Sequence, residues 1–184
     1  TKQHTATDVE GLCQRLRASM RFVVGDIDII RTDGASEFTG TQFPDYLADS
    51  LIGGERSVAY DPTQMGGVER GWGVCTPDAR CLLACSDKLG RNHWYSATRH
   101  AFFLANVKPS RPTKQIDGKV TTSSAFKRMY GHEYPLQRLR TYGAPMRYTL
   151  DEEQRDSKFD ETARAAYYVG ISPDNSSAHY AWDG

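Results

Sequence analysis

The clearest periodic signal lies near the start of the chain. Val9, Leu12, Cys13, Leu16 and Met20 recur at helical spacing on one face, and Thr7 or Asp8 is placed to cap the helix they predict. Gly25 breaks that pattern. Ile27, Ile29 and Ile30 then form a short β-branched run that predicts a buried strand ending near Thr32, with Asp33 just past its end. Phe43, Tyr46, Leu47 and Leu51 again repeat at helical spacing. Gly53-Gly54 is expected to close that helix before a second strand over residues 57–60.

From Gly66 the sequence can enter a helix that carries Glu69. Gly71, Gly73 and Pro77 predict a break or kink there, followed by a second helical stretch over about residues 77–88. Trp94, Ala97, Thr98, Ala101, Phe102 and Ala105 mark a further amphipathic helix ending near Val107. Residues 108–138 are rich in Pro, Lys, Ser, Thr and Gly and predict a connector that wraps or spans. Beyond it, residues 141–150, 165–171 and 179–182 are short, aromatic and β-rich, which suggests a small antiparallel sheet or barrel. The expected order is an α/β unit followed by a small all-β unit.

At 184 residues, with 39% hydrophobic and 25% charged positions, the chain fits a folded protein and not a disordered one. Its formal net charge of zero conceals a segregation. Residues 107–148 hold 9 Lys and Arg against 2 Asp and Glu, whereas residues 1–71 hold 7 against 11 and residues 149–184 hold 3 against 8. A basic segment between two acidic ones suits contact with phosphates, and it equally suits a solvated surface. The four cysteines, Cys13, Cys75, Cys81 and Cys85, lack paired CxxC spacing and are expected to be small buried apolar residues in a reducing compartment. No apolar run approaches membrane-spanning length and the N-terminal residues lack a signal-peptide core, so an intracellular location is expected and no membrane partner.

The candidate chemistry lies with two carboxylates. Asp33 at a predicted strand end and Glu69 at a predicted helix start are distant in sequence. They can meet at one metal site, because open α/β sheets gather functional groups beyond the carboxyl ends of their strands.

The residues around these acids resemble copia-type LTR-retrotransposon integrases. RTDGASEF, residues 31–38, is similar to the family's R-S-D-N-G-G-E-F, and YDPTQMGGVER, residues 60–70, to Y-T-P-Q-Q-N-G-V-A-E-R. HWYSATRHAFFLANVKPS resembles F-W-A-E-A-V-N-T-A-V-Y-L-L-N-R-S-P, LRTYGAPMRY resembles L-R-V-F-G-C-P-A-Y, and KFDETARAAYYVGISPD resembles K-L-D-P-K-S-R-K-G-I-F-V-G-Y-S-P. Five blocks in order cover nearly the whole chain.

The resemblance implies a partial RNase H-like integrase core over residues 1–106, a basic connector over 107–138 and an SH3-like β domain over 139–184. It implies DNA integration by polynucleotidyl transfer, with Asp33 and Glu69 matching the second and third acids of a triad that holds two Mg²⁺ or Mn²⁺ ions about 3.5–4 Å apart. Element ends and target DNA are the implied partners, with a homo-oligomer and a nuclear or cytoplasmic location. On this reading Gln64 and Gly66-Gly67 form a loop that approaches DNA, Arg70 touches phosphate or pairs with an acid, and Glu37 partners its own turn or a base. Lys127, Arg128, Arg138 and Arg140 belong to the basic stretch expected to follow a phosphate backbone. The sequence departs from the family at Gly34, Met65 and Gly71-Trp72, where the family has Asn, Asn and Lys-Asn. The family's first acid is expected on a strand upstream of the first helix, and Asp8, Asp26 and Asp28 fall in the wrong elements to replace it. Little strand transfer is therefore expected from this chain alone, and a diverged or a decayed element fits these changes. A non-catalytic nucleic-acid-binding or assembly module is the alternative.

Overall fold

The computed structural model describes residues 5–21, 23, 25–58, 65–109, 113–114, 120–155, 157–159, 161–172 and 178–184. The chain divides into two compact units, Thr1–Arg70 and Gly71–Gly184.

The first unit opens with α1, Ala6–Met20, whose cap is Thr5 and not Thr7 or Asp8. Thr5 Oγ1 accepts the Asp8 backbone N–H at 3.3 Å while Asp8 Oδ2 accepts the Thr5 N–H at 2.9 Å, a reciprocal box that satisfies two otherwise orphaned donors. The apolar stripe of α1 is wider than its contact. Val9 and Cys13 pack on the core, but Leu12 and Leu16 are exposed. The Arg17 guanidinium holds Asp26 by two bonds of 2.6 and 2.7 Å, and together with the Ile27 N–H it lowers the Asp26 carboxyl to about 2.

Strand β1, Ile29–Thr32, pairs in parallel with β2, Gly53–Arg56, from Ile29↔Gly53 to Thr32↔Arg56. Two helices, α2 at Ser36–Thr39 and α3 at Gln42–Asp49, lie between them in sequence. The Gly53-Gly54 pair thus begins a strand where a helix stop was expected, and the expected strand at 57–60 begins too late; Ser57 and Val58 are not in a strand, and residues 59–60 lie outside the described residues. The reason is close approach. A Cβ on Gly53 would lie 3.3 Å from Asp28 O, and one on Gly54 would lie 3.0 Å from Leu47 Cδ1. Leu51, with φ of 57°, makes the left-handed turn instead. Phe43, Leu47 and Ile52 are the buried centre of this unit.

The unit boundary falls within α4, Gly66–Ala84, one continuous helix where a break was expected. Pro77 removes one backbone donor, but its ring lies on the exposed side. Cys75 and Ala79, flanking it on the same face, are buried among Leu89, Ala97, Ala101 and Tyr142. This packing spans both sides of the proline and favours helix continuation over local propensity.

In the second unit, α5, Trp94–Val107, packs on β6, Ala163–Ile171, the central strand of an antiparallel sheet with β5, Pro145–Thr149, and β7, His179–Trp182. Among the described residues this sheet has three strands and is open, where a barrel was one expectation. The stretch expected to be a mere connector contains packed elements. Strand β3, Thr113–Lys114, pairs antiparallel with β4, Val120–Thr121, and α6 follows at Ala125–Tyr130. Ser124 caps α6 by accepting the Lys127 N–H at 3.0 Å, and Tyr134 is buried against Phe103 and Phe126. The cysteines divide: Cys75 is buried and Cys13 half-buried, whereas Cys81 and Cys85 are exposed, contrary to their expected burial.

Candidate metal centre

Strand β1 delivers Asp33 to the first position beyond its carboxyl end. There Asp33 Oδ1 accepts the Ala35 N–H at 3.1 Å, a short Asx-type turn that leads the chain into α2. The carboxylate is solvent-exposed, so one oxygen holds the turn while the other faces water. Glu37, in the first turn of α2, accepts from Ser36 Oγ at 3.4 Å and so acts within its own turn.

Glu69 lies in the first turn of α4, where its N–H donates to Met65 O at 3.1 Å. Its side chain is exposed, and the positive end of the helix dipole favours an acid there. Gly66 begins the helix with nothing within 4 Å of a Cβ placed on it, and the same holds for Gly67. Packing therefore does not demand glycine at either position. Arg70 is exposed one residue on, and Gln64 lies outside the described residues.

Both acids belong to the first unit. They offer oxygen donors, the chemistry that suits Mg²⁺ or Mn²⁺. Among the described residues no three His, Cys, Asp or Glu side chains are grouped to hold a metal ion. Two other acids of the first unit have structural roles: Asp8 closes the α1 cap and Asp26 holds Arg17.

A feature that sequence reasoning missed adjoins the strand ends. A cleft of about 330 Å³ is floored by Phe38, Phe43, Leu47 and Ile52 and edged by Thr32 and Arg56, the paired last residues of β1 and β2. Arg31 and Glu55 pair across the two strands at 2.6 Å, and Arg56 adds a cation to this edge. The signal in the sequence was the strand ending itself, and it was obscured by placing β2 four residues too late.

The basic residues are largely engaged within the second unit. Lys127 Nζ lies 3.3 Å from Glu133 Oε1, Arg128 donates to Ser123 O at 3.0 Å, and Arg140 donates to Gln137 O at 2.7 Å and Leu139 O at 3.1 Å. Arg138 ends a short 3-10 turn and is exposed. The side chains of Lys127, Arg128 and Arg140 thus also serve the local fold. Among the described residues no helix is long and apolar enough to cross a membrane.

No family model matches the chain. Over 155 residues, 84% of the chain, it is 26% identical to the retrovirus-related Pol polyprotein from transposon TNT 1-94 of Nicotiana tabacum. In fold it matches, with a TM-score of 0.53 and 15% identity over 100% of its length, a chain of the cryoEM structure of the simian T-cell lymphotropic virus intasome in complex with PP2A regulatory subunit B56 gamma. The catalytic core domain of BIV integrase follows at a TM-score of 0.48 and 16% identity, over 70% of this chain and 73% of that one. The chain is thus similar in sequence to a retroelement Pol polyprotein and, in its α/β fold, to a chain of a retroviral intasome. The chain spans 11% of the Pol polyprotein and 63% of the intasome chain, so it corresponds to a section of each.

Proposed function

We propose that this chain is the integrase section of a copia-type retroelement polyprotein, built for DNA integration by metal-dependent strand transfer of element ends into target DNA. The observation that carries the reading is the placement of Asp33 directly beyond β1 and of Glu69 in the first turn of α4, within one unit of integrase-like fold. Asp33 and Glu69 would supply two carboxylates to Mg²⁺ or Mn²⁺. A pair of such ions activates the attacking oxygen and stabilises the leaving one. Gln64, Gly66 and Arg70 would meet DNA near these acids, and Lys127, Arg128, Arg138 and Arg140 would neutralise phosphates. The open β5-β6-β7 sheet would be the SH3-like domain, and the working form a homo-oligomer on DNA.

A second reading, a DNA-binding or assembly module without catalysis, is favoured by one observation. Among the described residues no three acids are grouped to hold a metal ion. Mn²⁺ binding followed by electron paramagnetic resonance separates the two. The 184-residue chain is expected to bind Mn²⁺, and Asp33→Asn and Glu69→Gln are each expected to weaken it by about tenfold or more. Variants that bind Mn²⁺ like the parent chain would refute the metal site. Duplex binding retained without any Mn²⁺ affinity would establish the second reading.

A further inference from the structure

From Lys88 to Ile116 the chain contains no Asp or Glu, and within that run α5 begins with two adjacent aromatic residues. Trp94 and Tyr95 are 60% and 61% exposed, although rings of this size are ordinarily drawn into a core. Their centroids are 6.0 Å apart with the planes at 79°, so the two rings form a corner. One turn on, the Arg99 guanidinium lies 5.8 Å from the Tyr95 ring centroid and 5.1 Å from that of Tyr180 on β7. Tyr180 is itself 41% exposed. Two residues along the same strand Trp182 packs edge-on to His93, with centroids 4.5 Å apart, which seats β7 beside the start of α5. Asp183, next in sequence to Trp182, accepts the Tyr148 O–H, which holds its carboxyl below the usual range.

The result is a row of open ring surfaces with a cation set among them and its neighbouring acid engaged elsewhere. Stacked tyrosines hold the guanidinium in place, so its charge is presented without much loss of side-chain freedom. The core explains Trp182, but it does not explain Trp94 or Tyr95, which are mostly exposed.

We propose that Trp94, Tyr95, Arg99 and Tyr180 form a platform for unpaired nucleotides, on which bases stack against the rings and a backbone phosphate meets Arg99. Single strands fit this chemistry better than duplexes, because a duplex keeps its base faces covered while every unpaired base offers one. Sequence preference is slight, since stacking does not read base edges. The site lies in the second unit and does not depend on Asp33 or Glu69, so it stands or falls separately from strand transfer.

The test is fluorescence anisotropy of the full chain with a labelled mixed-sequence single strand and with the matching duplex. Trp94→Ala with Tyr95→Ala is expected to weaken single-strand binding about tenfold or more and to leave duplex binding unchanged. Trp94→Phe with Tyr95→Phe keeps an aromatic ring at each position and is expected to stay within about threefold of the parent, which guards against misreading a folding defect. Single-strand affinity unchanged by the Ala pair, or lowered as much by the Phe pair, would overturn the proposal. So would a dimer in sedimentation that the Ala pair dissolves, because the rings would then cover a second copy of the chain.

Discussion

His100 offers a direct test of how the second unit is held together. It projects from α5 among Phe103, Tyr142 and Tyr168, with ring centroids 6.0, 5.6 and 5.5 Å away, and it is 2% exposed. Its Nδ1 is buried without a hydrogen-bond partner. Burial lowers the imidazole from its ordinary 6.5 to about 4. In the unfolded chain His100 takes up its proton near the ordinary value, whereas in the folded unit it resists until much lower pH. Between the two values the unfolded state binds more protons, so stability falls as pH falls, and the loss is complete below the folded value. At about pH 5 the loss from this one group is about 2 kcal/mol, rising to a limit of about 3 kcal/mol. His100→Phe keeps a ring of similar shape in the aromatic box and removes the titration. All three tryptophans, Trp72, Trp94 and Trp182, lie in the second unit, so their fluorescence during urea unfolding reports on it. Between about pH 7.5 and about pH 5 the parent midpoint is expected to fall by about 1–2 M more than that of His100→Phe. Equal falls in the two proteins would refute the assignment, since every other titrating group is common to both.

Two further outcomes follow from backbone geometry. Gly143 has φ of 78°, and a Cβ there would lie 2.2 Å from Ser86 Oγ and 2.8 Å from Ser86 Cβ, so Gly143→Ala is expected to cost about 1–3 kcal/mol in the same urea assay. A midpoint unchanged by that substitution would contradict the turn. Leu51 occupies the left-handed region while 92% exposed, so Leu51→Gly is expected to stabilise the first unit by about 0.5–1 kcal/mol, read as a rise in the far-ultraviolet thermal midpoint. A drop in that midpoint would show that the side chain contributes more than its exposure implies.

Local pattern alone determined much of this protein. The α1 and α5 stripes, the isoleucine strand though not its expected burial, the three C-terminal strands and the position of Asp33 at a strand end are all carried by neighbouring residues, and periodicity records them directly. The ordered motif blocks likewise indicated the retroelement resemblance that the sequence match bears out. Tertiary contact decided the remainder. Gly53 and Gly54 have the local character of a helix stop, yet they form a strand in which a Cβ would press on the Asp28 carbonyl and on Leu47, and Leu51 takes the left-handed turn in their place. Gly71, Gly73 and Pro77 oppose a helix one by one, but burial of Cys75 and Ala79 on either side of the proline outweighs them. Trp94 falls on the apolar stripe that the sequence predicts for α5, yet its ring and that of Tyr95 are exposed. Only the arrangement of α5 and β7 shows Arg99 held between two tyrosines at the surface, because a helix pattern records spacing along one element and not which neighbour covers it.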